Sequence, residues 1–141
     1  MALSKDKIKG DEMKLIENVL RFDRHLANAK ELEKKDISDY LIYNTLAMEC
    51  FQATNAIIEI GEYIVAEKKL GFPSTYREVF ELIEQDKMIS KELLNTIKRL
   101  IFLRNLIAHE YYRIKEEELL EMVKLLNIAK DLVQITRRLI C

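Results

Sequence analysis

The sequence predicts an all-α fold: an antiparallel four-helix bundle with a short extra helix between the second and third long ones. Three observations predict it. Apolar residues recur by threes and fours through long windows. The 141 residues include only three Gly and one Pro, too few turn signals for a many-stranded sheet. Ser, Thr or Asp stands ahead of several periodic stretches, where a helix N-cap belongs. A single domain over residues 1–141 is long enough to bury a core without disulfides or metal.

Met13, Ile16, Leu20 and Ala27 mark a first amphipathic helix from about Lys7 to Lys34. Asp36 or Ser38 can cap a second, whose apolar positions Tyr43, Leu46, Cys50, Ala53, Ile57, Ile60 and Ile64 run to about Lys69. Gly71 and Pro73 then break the chain, and Thr75 with Glu78 forms a capping-box pattern for a short helix through about Glu84. Ser90 can cap the next helix, which carries Leu93, Leu94, Ile97, Leu100, Ile101 and Leu103. The last helix is expected from about Glu116 to Ile140 and has two apolar stripes. Leu119, Met122, Leu126, Ala129, Val133 and Ile140 form one; Leu125, Ile128, Leu132, Ile135 and Leu139 form the other, about 100° around the axis. Such width suits a helix central in its own bundle or one facing a second chain, and the expectation favours a homodimer.

Lys and Arg number 23 against 24 Asp and Glu, so the overall balance announces no nucleic-acid partner. Locally the balance differs: Lys98, Arg99, Arg104, Arg113 and Lys115 face a single acid, Glu110, between positions 98 and 115. That suits a few phosphate contacts, or an ordinary charged helix surface. Cys50 lies in an apolar stretch and Cys141 ends the chain, so both read as free thiols. With only His25 and His109, and no His/Cys/carboxylate cluster at ligand spacing, neither metal nor cofactor is expected. His25 has no reactive company and reads as a surface residue. No segment approaches the roughly 20 apolar residues of a membrane span, nor is there an apolar core of signal-peptide length near Met1, so a cytoplasmic location is expected.

Chemistry concentrates in Arg104-Asn105-Leu106-Ile107-Ala108-His109-Glu110-Tyr111-Tyr112, which gathers a cation, an amide, an imidazole and a phenol. A guanidinium holds phosphate through a planar fork of donors, and an imidazole can move a proton beside it. Taken alone, His109 at the end of an apolar helix fits a structural or helix-capping histidine better than a catalyst. In an unbroken helix Asn105 and His109 are neighbours, while Arg104 aligns with Ala108 and Tyr111. Arg104 and His109 are then expected to diverge unless the helix bends or a second copy supplies a partner set. The polar face Gln52, Asn55, Glu59 and Glu62 on the second helix reads as its solvated side, with Glu59 a possible liner of a dimer cleft and no catalytic role assigned.

The run reads R-x4-H-x-Y with Asn directly after Arg, and in this form it resembles the HEPN ribonucleases, specifically the HepT toxins paired with a minimal nucleotidyltransferase antitoxin. Phe72-Pro73-Ser74 with Tyr76 and Phe80 resembles that family's linker into its third helical segment, and Phe102-Leu103 leads into the motif. One departure is Lys115, where the family favours an acidic residue. The resemblance implies a toxin that cleaves RNA, tRNA or mRNA, without metal, the 2′-hydroxyl attacking its own phosphorus. In that scheme His109 is general base or acid, Arg104 stabilises charge on the phosphoryl oxygens, and Asn105 orients an oxygen or the imidazole. It also implies a site completed by a homodimer, and Tyr111 as the acceptor of AMP from the antitoxin. The alternative is a noncatalytic nucleotide- or partner-binding subunit of a nucleotidyltransferase complex, and a third reading is a purely structural bundle.

Overall fold

The computed structural model describes residues 2–110 and 114–140, which form five helices and no strand. They are α1 (Ala2–Leu32), α2 (Tyr40–Lys68), α3 (Tyr76–Gln85), α4 (Lys91–Glu110) and α5 (Glu116–Ile140). The four long helices form the predicted bundle, with α3 as the short extra element. Helices α1 and α2 run antiparallel: His25 meets Glu49, while Arg21 reaches Gln52 and Glu59 further along α2. Helix α2 is the axis of the fold, in contact with each of the other four. Its composition explains this, for Leu46, Cys50, Ala53, Ile57, Ile60 and Ile64 are all fully buried, as their spacing predicted.

Helix α1 buries a face other than the expected one. Leu15, Val19, Phe22, Leu26 and Ala29 are in the core, whereas Met13 and Leu20 are 54% and 61% exposed. Both stripes satisfy helical spacing; the buried one carries Phe22 and therefore removes more apolar surface from water. His25 is likewise no simple surface residue. Its Nδ1 lies 2.6 Å from Glu49 Oε2, with both side chains largely covered between α1 and α2.

The caps show how the chain enters each helix. Helix α2 is capped by Asp39, whose carboxylate accepts from the N–H groups of Leu41 and Ile42, and not by the expected Asp36 or Ser38. Asp36 instead accepts from Ser38 N and Oγ, closing the turn just before the helix. Lys69 ends α2 in the left-handed region at φ 54°, and Gly71 takes φ 146°, turning the chain toward α3. Thr75 caps α3 as predicted, accepting from Glu78 N at 3.1 Å. The reciprocal bond goes to Ser74, whose N and Oγ both donate to Glu78; these bonds hold the Glu78 carboxyl below its usual range. Ser90 Oγ accepts from Leu93 N at the start of α4, again as predicted.

Close approach at Gly61 fixes α3 against α2, because a methyl group there would stand 2.6 Å from two ring carbons of the buried Phe80. Tyr43 Oη donates to the carbonyl of Ile114 at 2.5 Å, tying the beginning of α2 to the segment before α5. In α5 the first apolar stripe is buried at Leu119, Met122, Leu126, Ala129 and Val133. The second is mostly used within the chain as well: Leu132 is buried, Leu125 and Ile135 pack on the core, and Ile128 and Leu139 stay about half exposed. Thus the width of the α5 apolar face is largely explained by its own bundle.

Candidate active site

Arg104 is the most constrained polar side chain of the motif. Buried Ile101, Leu103 and Ile107 anchor α4 on the core and turn Arg104 toward α2. Its Nε donates to Asn55 Oδ1 at 2.9 Å, and one Nη donates to Asn105 Oδ1 at 3.0 Å. The guanidinium carbon lies 5.0 Å from the ring centre of Phe51 and 5.4 Å from that of Tyr76, within cation–π range of both. Two aromatic rings and two amide oxygens therefore set the plane and rotation of the guanidinium. Its other N–H groups meet no acceptor among the described residues and remain free for an anion.

This arginine borders an open cleft of about 700 Å³ between α2, α3 and α4. Asn105 and His109 line the same cleft from α4, Glu62 lines it from α2, and Pro73 through Arg77 form the rim. Arg104 and His109 therefore line one cleft within a single chain. The long Arg104 side chain is held there by the oxygens of Asn105 and Asn55. His109 is exposed and makes no hydrogen bond or ion pair among the described residues. Tyr111 and Tyr112 lie outside the described residues.

Of the locally basic stretch, Lys98 and Arg99 are paired with acids, and Arg113 lies outside the described residues. Lys98 pairs with Glu81 at 3.2 Å, and Arg99 holds Glu121 through two bonds of 2.8 and 2.9 Å, with Glu118 at 3.8 Å. The Arg99 bonds pull the Glu121 carboxyl below its usual range, while the Arg99 guanidinium is shifted upward. These two cations join helices; Arg104 and Arg77 are the ones on the cleft.

Sequence reasoning missed Phe51, Asn55, Glu62, Tyr76 and Arg77 as parts of this site. The available signal was the spacing of Gln52, Asn55, Glu59 and Glu62 along a helix whose other faces are almost wholly apolar. Burial, and secondly the charge of Glu59, push the Glu62 carboxyl upward. Glu59 itself pairs with Arg21 at 3.2 Å in an adjoining groove between α1 and α2. Burial also pushes the Cys50 thiol up to about 12, which fits a packing role. Among the described residues, no group of three His, Cys, Asp or Glu side chains is placed to hold a metal ion.

The fold is thus an all-helical bundle with a held guanidinium and an imidazole that is unpaired among the described residues on one cleft. The ribonuclease HepT-like family model matches residues 11–139, and the chain belongs to that family. The mRNA nuclease HepT of Shewanella oneidensis is 24% identical over 86 residues, 61% of this chain; the match spans 65% of that relative's length. Two solved structures share the fold. A tri-AMPylated Shewanella oneidensis HEPN toxin in complex with MNT antitoxin superposes with a TM-score of 0.75 at 21% identity, over 88% of this chain and 94% of that one. The Bacillus subtilis cytosolic protein of unknown function YutE gives 0.80 at 17% identity, over 89% and 87%.

Proposed function

We propose that this protein is a toxin-type endoribonuclease that cleaves RNA without a metal ion and is neutralised by a nucleotidyltransferase antitoxin. The observation that carries the reading is the shared cleft of Arg104, Asn105 and His109, with Arg104 already oriented by Asn55, Phe51 and Tyr76. RNA contains its own nucleophile. Abstraction of the 2′-hydroxyl proton lets O2′ attack the adjacent phosphorus, and departure of O5′ leaves a 2′,3′-cyclic phosphate and a 5′-hydroxyl. His109, exposed on the cleft, transfers a proton; Arg104 offers its free N–H groups to the phosphoryl oxygens as charge accumulates. Asn105 holds the guanidinium through Oδ1 and lines the cleft where its amide can reach an oxygen of the bound phosphate. Membership of the family and the name of the Shewanella relative support the same reaction class.

Tyr111, two residues after His109, is proposed as the acceptor of AMP from the antitoxin; the AMPylated state of the Shewanella HEPN toxin supports this. Added phosphates there compete with substrate for Arg104 and His109. Incubation with the nucleotidyltransferase and ATP should label Tyr111, and a label confined to other residues contradicts the assignment. A homodimer remains part of the proposal, supported by half-exposed Ile128 and Leu139 on α5 and by Met13 and Leu20 on α1. The reaction itself is tested with partner-free protein, tRNA and mRNA in excess chelator: wild type cuts, and His109→Ala is slower by about 100-fold or more. Cleavage at the wild-type rate by His109→Ala would remove the role of His109.

A further inference from the structure

The cleavage moves two protons, one off the 2′-hydroxyl and one onto the departing 5′-oxygen, and the His109 that lines this cleft performs one of these transfers; in the proposed homodimer the other falls to the second copy's His109 or to a further group on the same cleft. Arg104 and Arg77 stay charged and do not serve as proton carriers. The Tyr76 ring is stacked near the Arg104 guanidinium. The remaining carboxylic acid on the described surface of the cleft is Glu62. It stands two helical turns beyond the half-buried Asn55, on the same face of α2 that holds Arg104 in place.

Glu62 is also uncommitted, whereas its neighbours are engaged. On α2, Glu59 is taken by Arg21 of α1, which Asn18 and Gln52 hold as well. On α4, Arg104 is bonded to Asn55 and Asn105. Arg77 of α3 and His109 of α4 border the cleft without ion-pair partners among the described residues. Asp11, Lys14 and Glu17 of α1 border the adjoining groove, which Glu62 also lines. Glu62 makes no ion pair there or in the cleft among the described residues. Its carboxyl is partly withdrawn from water beside Glu59, and both effects favour the protonated form.

With the ribonuclease reading as its premise, we propose that Glu62 is the general acid that protonates the departing 5′-oxygen, leaving His109 as the base for the 2′-hydroxyl. The balance closes within the site. His109 gains the 2′ proton, the O2′–P bond forms as the P–O5′ bond breaks, and Glu62 delivers its proton to O5′. Exchange with water then returns a proton from His109 to Glu62.

A sulfur leaving group separates this role from the others. A short RNA that the wild type cuts is prepared with oxygen or with a 5′-bridging sulfur at the cleaved linkage, and both are tested in chelator. Thiolate departs without protonation, so Glu62→Gln should be at least about 100-fold slow on the oxygen substrate and within a few-fold of wild type on the sulfur one. His109→Ala should stay slow on both. Glu62→Gln that equals wild type on oxygen, or is equally impaired on both substrates with an unchanged melting temperature, overturns the assignment. Wild-type protein that cuts no RNA in chelator, so that no such substrate can be chosen, removes the ribonuclease reading, and the inference with it.

Discussion

At the scale of single residues, the proposed site rests on one cation that the fold itself holds in place. A free arginine side chain has many rotamers to lose on binding phosphate; Arg104 has been restricted by two hydrogen bonds and two aromatic rings. Asn55 is therefore a positioning residue, acting through Arg104. We expect Asn55→Ala to lower kcat for RNA cleavage by about 10-fold with little change in melting temperature, and Arg104→Lys to lower it by about 100-fold. Equal activity of Asn55→Ala and wild type in a single-turnover assay contradicts the positioning role. That Arg104, Asn105 and His109 border one cleft was legible in the sequence because they stand close together on a single helix. Asn55, Phe51, Glu62 and Arg77 were not, since they reach the cleft from other helices and carry no local motif. Arg99 misled for a related reason: its charge was visible, but its bonds to Glu121 across α4 and α5 were not.

At the scale of helices, the cleft is a consequence of how α3 docks. Helix α3 spans only Tyr76–Gln85, yet it supplies Tyr76 and Arg77, so its seat on α2 matters more than its length. That seat is Gly61, where the Phe80 ring approaches too closely to admit a side chain. Phe80 is fully buried and has little room to retreat. Gly61→Ala should destabilise the protein by about 1–3 kcal/mol, read as a lower midpoint in urea, and should also slow cleavage by displacing Tyr76. An unchanged midpoint contradicts this packing account. Helix number and most boundaries were legible because periodicity and caps are local signals: Thr75, Ser90 and Glu116 all fall at helix starts as expected. The buried face of α1 was not, because two stripes had the right spacing and only packing distinguishes Phe22 from Leu20. The first cap of α2 was missed by a residue or more because Asp36, Ser38 and Asp39 are all competent acceptors, and the turn made by Asp36 decides among them.

At the scale of the whole molecule, a nearly neutral chain presents its chemistry through placement, not through net charge. One groove face of α2 divides into two regions: on the α1 side Glu59 engages Arg21, and on the α4 side Asn55 engages Arg104. The groove beside Asp11, Glu17, Glu59 and Glu67 is predominantly acidic and disfavours phosphate, so the proposed function puts the RNA backbone in the α3–α4 cleft, which Arg104 and Arg77 border. The central claim is that Arg104 and His109 act on one phosphate and that the RNA attacks itself. Its most direct test is the chemistry of the cut ends produced by purified, unmodified protein in chelator. A 2′,3′-cyclic phosphate on one fragment and a 5′-hydroxyl on the other, both lost in His109→Ala, are the predicted result. Fragments bearing a 3′-hydroxyl and a 5′-phosphate would mean that water attacked instead, and would contradict the account.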